Sequence, residues 1–202
     1  MSNEEIKNLH LDSYRRDNFF IGGQWVKPNS KNVIEIISPS TEEKIGQVPD
    51  ANTADVDQAV KAASAAFAKR NSWSTWPVTE RTKVMRKFAD ILEAKHQELS
   101  ILYAHELGRP YKPTVSRPSR PAELLRYYAD LAEQIELDQM RLIPALQNPG
   151  SVKSSSVKLE SRGVTAVIVP YNGTLEMGMF KIGPTLALGG TVVLKPSPQS
   201  PL

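Results

Sequence analysis

Cysteine is absent from the 202 residues, and histidine occurs only as His10, His96 and His105. No thiolate nucleophile, disulfide, zinc–thiolate centre or iron–sulfur cluster can be built from such a chain. Three scattered histidines do not make a metal site, so no metal is expected. Chemistry must then come from Lys, Asn, Ser, Tyr, the acids or a bound cofactor. The residues placed for it lie in the stretch 163–202, which reads strand, loop, helix, loop, strand. VTAVIVP (164–170) is a continuous apolar run of the kind buried on both faces of a parallel sheet, and TVVLKP (191–196) is a second. Each ends in residues with polar chemistry, Pro170-Tyr171-Asn172 and Lys195-Pro196-Ser197. In open α/β sheets, ligands bind beyond the carboxyl ends of the strands. Asn172 has a side chain suited to capping the helix that follows. Lys195 carries three donors on one ammonium, and on spacing alone it reads equally well as the end cation of an ordinary α/β layer. No GxGxxG occurs, so the common dinucleotide fingerprint is missing.

Two strands joined by a crossover helix within ~30 residues form a βαβ unit, right-handed almost without exception. The helix is predicted over Thr174–Leu188, with Leu175, Met179, Ile182 and Leu186 at helical intervals and Gly189-Gly190 as its stop. Upstream, FFIGGQWVKP, NVIEIISP and EKIGQVP are short β-branched or aromatic runs broken by turn residues, the signature of a hairpin or small meander. Asn52 or Thr53 is placed to cap a helix with Val56, Val60, Ala63 and Phe67 at helical spacing. A second helix is predicted from Thr79 to Gly108, its apolar stripe drawn by Val84, Phe88, Ile91, Leu92, Leu99 and Leu102. Pro110, Pro113, Pro118 and Pro121 exclude regular helix between them. A third helix places Leu124, Leu125, Tyr128, Leu131 and Ile135 on its buried side. MRLIPALQ and SVKSSSVKLES flank Asn148-Pro149-Gly150 and read as a long two-stranded arm.

The formal charge is +3, with 40% hydrophobic and 23% charged residues, which is near the average for a globular protein. Basic residues are interspersed with acids, so no nucleic-acid track is expected. Arg81, Lys83, Arg86 and Lys87 cluster on an amphipathic helix and read as a solvated face. No apolar run approaches the ~20 residues of a membrane span. The N-terminus lacks an apolar export segment, and a cytoplasmic location is expected.

The residues themselves carry a resemblance. IVPYNGTLEMGMFKIGPTLALGGTVVLKPSPQSPL closely resembles the proline–aromatic–asparagine to lysine–proline stretch of the aldehyde dehydrogenase superfamily. FFIGGQWV is similar to that family's opening hairpin, and NTADVDQAVKAASAAF and WPVTERTKVMRKFADILEAKHQELSILYAHELGRP to its first two long helices. LRYYADLAEQI and KLESRGVTAVIVPYN follow in the family's order. The resemblance covers nearly the whole chain from Phe19. It implies an α/β fold: a partial Rossmann-like parallel sheet with flanking helices, plus a β-hairpin oligomerisation arm. The implied divisions are an N-terminal arm (1–18), the hairpin and helices of the cofactor domain (19–139), the oligomerisation arm (140–162) and the first βαβ unit of the cofactor-binding domain (163–202).

The resemblance implies oxidation of an aldehyde to a carboxylic acid with NAD or NADP. Asn172 matches the asparagine of the oxyanion hole, where a preorganised N–H stabilises charge developing on the carbonyl oxygen. Lys195 matches the lysine that holds the adenosine ribose, with Ser197 and Pro198 beside it. Ile168, Val169, Pro170 and Tyr171 are implied to line the cofactor cleft, with a plain core role open for the two aliphatics. Lys181 matches a lysine beside cofactor and nucleophile, although the family's tryptophan–lysine pair is Phe180-Lys181 here. Other departures are Gly173-Thr174 in place of the family's Phe-Pro, and Pro198 where many members carry a ribose-binding glutamate. Family members are more than twice as long, and their cysteine and general-base glutamate lie beyond Leu202. The chain alone is therefore expected to be inactive and to pair with copies of itself or related subunits. The alternatives are a truncated, non-catalytic binding or regulatory relative and a bare nucleotide-binding module.

Overall fold

The computed structural model describes residues 16–135, 141–148, 151–157 and 160–202. Most of the expected N-terminal arm and the tip of the Asn148-Pro149-Gly150 turn lie outside them. Two antiparallel hairpins open the described chain, β1 (Phe19–Ile21) with β2 (Gln24–Val26) and β3 (Val33–Ile37) with β4 (Lys44–Pro49). Helix α1 (Thr53–Ala68) begins in a reciprocal cap: Asn52 Oδ1 accepts from the amides of Ala54 and Asp55, and Asp55 Oδ2 accepts from the amide of Asn52. Asp55 also accepts from the backbone and side-chain N–H groups of Asn29, which ties the helix start to the preceding loop.

The helix predicted through 79–107 is two helices, α2 (Val78–Ala94) and α3 (His96–Leu107). Lys95, at φ −93° and ψ 6°, leaves the helical region and turns the axis between them. The proposed stripe shifts as well. Val84 and Ile91 are exposed, and Arg81, Thr82, Met85, Ala89 and Leu92 form the inward face of α2. Val56 and Val60 of α1 are also exposed. Helix α3 ends at Gly108, whose φ of +65° is the left-handed conformation that favours glycine, with Pro39 Cγ only 3.2 Å from where a Cβ would stand.

The proline-rich stretch contains one short helix, α4 (Tyr111–Val115), and then α5 (Arg120–Gln134) with Pro121 in its first turn. A first turn tolerates proline because its N–H has no helical acceptor anyway. Ile135 caps the far end of α5 and is exposed rather than buried. The basic cluster is a solvated face only at Lys83 and Lys87: Arg81 is buried, and Arg86 pairs with Asp130 and Glu133 of α5.

The arm forms as expected at the strand level. β5 (Arg141–Asn148) pairs antiparallel with β6 (Ser151–Val157). Their register breaks between Ile143 and Leu146, where Pro144 has no N–H to contribute. Strand β7 (Val164–Ile168), helix α6 (Thr174–Ala187) and strand β8 (Thr191–Lys195) complete a parallel βαβ unit. One core joins α2, α5, α6 and β7. Met85, Ala89, Leu92, Leu125, Val167 and Met179 are central to it, and the small Ala122, Ala129 and Ala132 let α5 approach its neighbours closely. The expectation that β7 is buried on both faces is not met, because the face carrying Ala166 and Ile168 is exposed. Val167 is fully buried, whereas Ile168 is 66% exposed. Near the start of the strand, Phe67 of α1 packs within 4 Å of the Gly163 position, and Thr191 Oγ1 bonds the Ala63 carbonyl. That cover does not reach Ile168.

Candidate functional site

The site grows from strand register. Ile168 pairs with Lys195, and the amide of Val169 donates to the Lys195 carbonyl at 3.3 Å. The asparagine loop and the lysine loop therefore leave the same carboxyl end of the parallel pair. After β7 the chain makes one 3₁₀ turn, Tyr171–Gly173, before α6 starts. This turn corrects the capping role expected of Asn172. The N-cap of α6 is Gly173, and no side chain caps it. The amide of Leu175, one of the donors a helix start leaves unpaired, donates instead to the Tyr103 hydroxyl at 2.9 Å. Asn172 is exposed, and its main-chain carbonyl accepts from Arg109 Nη2 at 2.6 Å.

Three residues at the end of α3 and just beyond it brace these loops, and sequence reasoning missed all three. Burial pushes the Tyr103 hydroxyl up to about 12, so it stays protonated at the helix start. The Arg109 guanidinium lies 5.7 Å from the Tyr103 ring centroid. Glu106 is buried, which pushes its carboxyl up, and two hydrogen bonds act against that shift: Ser200 Oγ donates to Oε2 at 2.7 Å and the Leu202 amide to Oε1 at 2.8 Å. The available signal was an acid in the last turn of a helix, where the macrodipole disfavours negative charge.

The residues singled out from sequence divide by position. Ile168, Pro170, Tyr171, Asn172, Lys195 and Pro198 are exposed around the shared strand end. Lys195 Nζ donates to the neighbouring Pro196 carbonyl at 3.3 Å, and Ser197 Oγ bonds the Gln199 side chain. Val169 turns into the core. Lys181 is exposed further along α6, with Nζ 3.5 Å from the Met177 carbonyl. An open cleft of about 400 Å³ runs past Ile36, Pro39, Glu106, Tyr171 and Pro198. Among the described residues no group of three or more His, Asp or Glu is gathered for a metal, and no helix is long and apolar enough to cross a membrane.

A parallel βαβ unit packed on a helical layer defines the fold of these residues as α/β. The model of the aldehyde dehydrogenase family matches residues 25–202, and the chain belongs to that family. It is 37% identical over 179 residues to geranial dehydrogenase of Castellaniella defragrans, covering 88% of this chain and 36% of that protein. The structure of Mycobacterium tuberculosis aldehyde dehydrogenase complexed with NAD+ superposes with a TM-score of 0.81 at 35% identity, covering 93% of this chain and 38% of that one. NADP-dependent glyceraldehyde-3-phosphate dehydrogenase from Bacillus halodurans, complexed with NADP, gives a TM-score of 0.79 at 30% identity, covering 91% of this chain and 38% of that one. The chain spans about a third of the length of the curated relatives it matches, 36% for the geranial dehydrogenase.

Proposed function

We propose that these residues form the N-terminal part of the cofactor-binding domain of an NAD(P)-dependent aldehyde dehydrogenase, which oxidises an aldehyde to a carboxylic acid. The observation that carries this reading is the pairing of Ile168 with Lys195, which delivers the two polar loops to one carboxyl end of the sheet. NAD or NADP, when bound, supplies the hydride acceptor. The donor set fits such a group: the exposed Lys195 ammonium can donate to ribose hydroxyls, and Ile168 and Tyr171 offer apolar surface beside it. The Asn172 side-chain N–H donates to the aldehyde oxygen as negative charge develops there, stabilising the transition state more than the ground state. Pro198 offers no carboxylate to accept from the ribose or to repel a 2′-phosphate, so NAD and NADP are both accommodated. The nucleophile is not among these residues, because the chain contains no cysteine. By themselves they oxidise no aldehyde.

Calorimetric titration of NAD and of NADP into the chain tests this reading. A charge-assisted hydrogen bond is worth about 1.5–3 kcal/mol, so Lys195→Ala should weaken binding about tenfold or more for both dinucleotides. Equal affinity in the wild type and the variant would remove Lys195 from the site. NAD(P)H formation by the purified chain with an aldehyde panel would overturn the assignment of the nucleophile to other residues.

A further inference from the structure

We propose that Glu106 is a positioning residue that fastens the lysine loop and the asparagine turn to each other from below the sheet edge. This deepens the reading given above, because it concerns the geometry of the same site. Glu106 is 4% exposed and sits in the last turn of α3. Burial there penalises the carboxylate, and so does the negative end of the helix dipole. What it gains is a set of partners from a different part of the chain. Its two oxygens accept from Ser200 Oγ and from the Leu202 amide, both in the segment that follows β8 and Lys195. Ser200 is itself fully buried and accepts, on the same Oγ, from Thr174 Oγ1 at 2.9 Å. Thr174 is the first residue of α6, two positions after Asn172, and its hydroxyl also lies 3.2 Å from the Pro170 carbonyl. The path from carboxylate to Ser200 to Thr174 thus spans from the loop after Lys195 to the turn that carries Asn172. Arg109, three residues beyond Glu106, holds the Asn172 carbonyl from the same helix end.

This geometry gives Glu106 a role separate from filling the core. Binding and catalysis depend on reacting groups being held within about an ångström. The distance between the Lys195 and Asn172 loops is set by backbone pairing only as far as the Val169 amide on the Lys195 carbonyl. Beyond that pair, the described cross-link between the loops is the one through Ser200.

Hydrogen exchange of the 202-residue chain, resolved by mass spectrometry, tests the proposal without any ligand. Glu106→Ala should speed exchange about tenfold or more at the amides of 197–202 and also at 172–176, while the β3–β4 hairpin and α5 keep wild-type rates. Ser200→Ala leaves the carboxylate and the Leu202 amide in place. It should speed exchange at 172–176 while Leu202 stays protected. Glu106→Gln retains a carbonyl acceptor and should restore part of the protection lost in Glu106→Ala. Faster exchange confined to 197–202, or spread uniformly over the chain, would overturn the proposal. Should Glu106→Ala fail to fold, Ser200→Ala decides the matter alone, and unchanged exchange at 172–176 in that variant overturns it. Dinucleotide titration of the same variants keeps the two readings apart. Absence of binding in the wild type counts against the proposed function, and the exchange rates still decide the coupling.

Discussion

Arg81 of α2 reaches the far end of α6. Its Nε and Nη2 donate to the Ala187 carbonyl at 3.2 and 3.1 Å, and its Nη1 donates to the Trp76 carbonyl. Ala187 is the last residue of α6, so its carbonyl is one of those a helix end leaves without an intrahelical donor. A cation there also opposes the negative end of the helix dipole. The guanidinium is buried and fixes the crossover helix of the βαβ unit to the helical layer beneath it.

Replacing Arg81 with Met keeps an unbranched apolar stem and removes every donor. The Ala187 carbonyl is then buried without these partners and the half-buried Trp76 carbonyl loses one, and the expected loss of stability is about 2–3 kcal/mol. Arg81→Lys should recover part of this, since one ammonium cannot reproduce the fork. Urea denaturation reads the effect, and an unchanged midpoint for Arg81→Met would show that the fork contributes nothing.

Gly183 is needed for space rather than for backbone freedom. A Cβ at this position of α6 would stand 2.5 Å from Cδ2 of Tyr128 on α5. Alanine inside a helix gains about 1 kcal/mol over glycine, while overpacking typically costs about 1–3 kcal/mol. Gly183→Ala should therefore be destabilising by up to roughly 2 kcal/mol, the difference of the two. Adding Tyr128→Leu should relieve the clash, making the double variant less destabilised than the sum of its parts. Strict additivity in thermal melts would show that the Tyr128 ring moves aside freely.

Glu133 supplies a pH-dependent clamp between α2 and α5. Hydrogen bonds from the Arg86 guanidinium, and then from Thr82 Oγ1, lower its carboxyl from the ordinary 4.5 to about 2. The folded value lies below the unfolded one, so this stabilisation is fully present above about pH 4.5 and is lost as the pH falls toward 2. The side chain is 35% exposed and the Arg86 side chain 37%, which leaves about 1 kcal/mol or less after solvent screening. The melting-temperature advantage of wild type over Glu133→Gln should shrink between pH 6 and pH 2. A constant difference across that range would remove Glu133 as its source.

Local chemistry was legible in the sequence wherever it determines structure by itself. The Asn52 cap, the Gly108 stop and the alternation of strand and helix after Gly163 all depend on neighbours in the chain, and all appear in the fold. Features set by distant partners were not legible. Nothing near Arg81 in sequence announces a carbonyl 106 residues away. Val84 and Ile91 share a helical spacing with buried residues but face outward, because α2 docks through Met85, Ala89 and Leu92 against α5 and α6. The strand ends Asn172 and Lys195 could be named from local pattern. The bracing of those ends by Tyr103, Glu106 and Arg109 could not, because it comes from a helix whose proximity only the tertiary fold creates.

Self-association is expected from the uncovered part of the βαβ unit. Each sheet among the described residues has two strands, so β7 and β8 each have one edge unpaired within those residues. Parallel strands normally have neighbours on both sides and cover on both faces. Here Ile168 and Tyr171 are 66% and 58% exposed, and Leu194 of β8 and Leu188 at the α6 terminus are about half exposed. An apolar strand edge of this kind templates pairing with another chain. The β5–β6 arm is another two-stranded element, and a lone hairpin is at best marginally stable in water. The polar run 153–156 opposes pairing along β6 only. Sedimentation velocity over a concentration series should show growing oligomers. Ile168→Asp, which places a charge on the open face while leaving the Val167 side buried, should shift the distribution toward monomer. A compact monomer at every concentration would show that the open edge of β7–β8 is not a pairing surface.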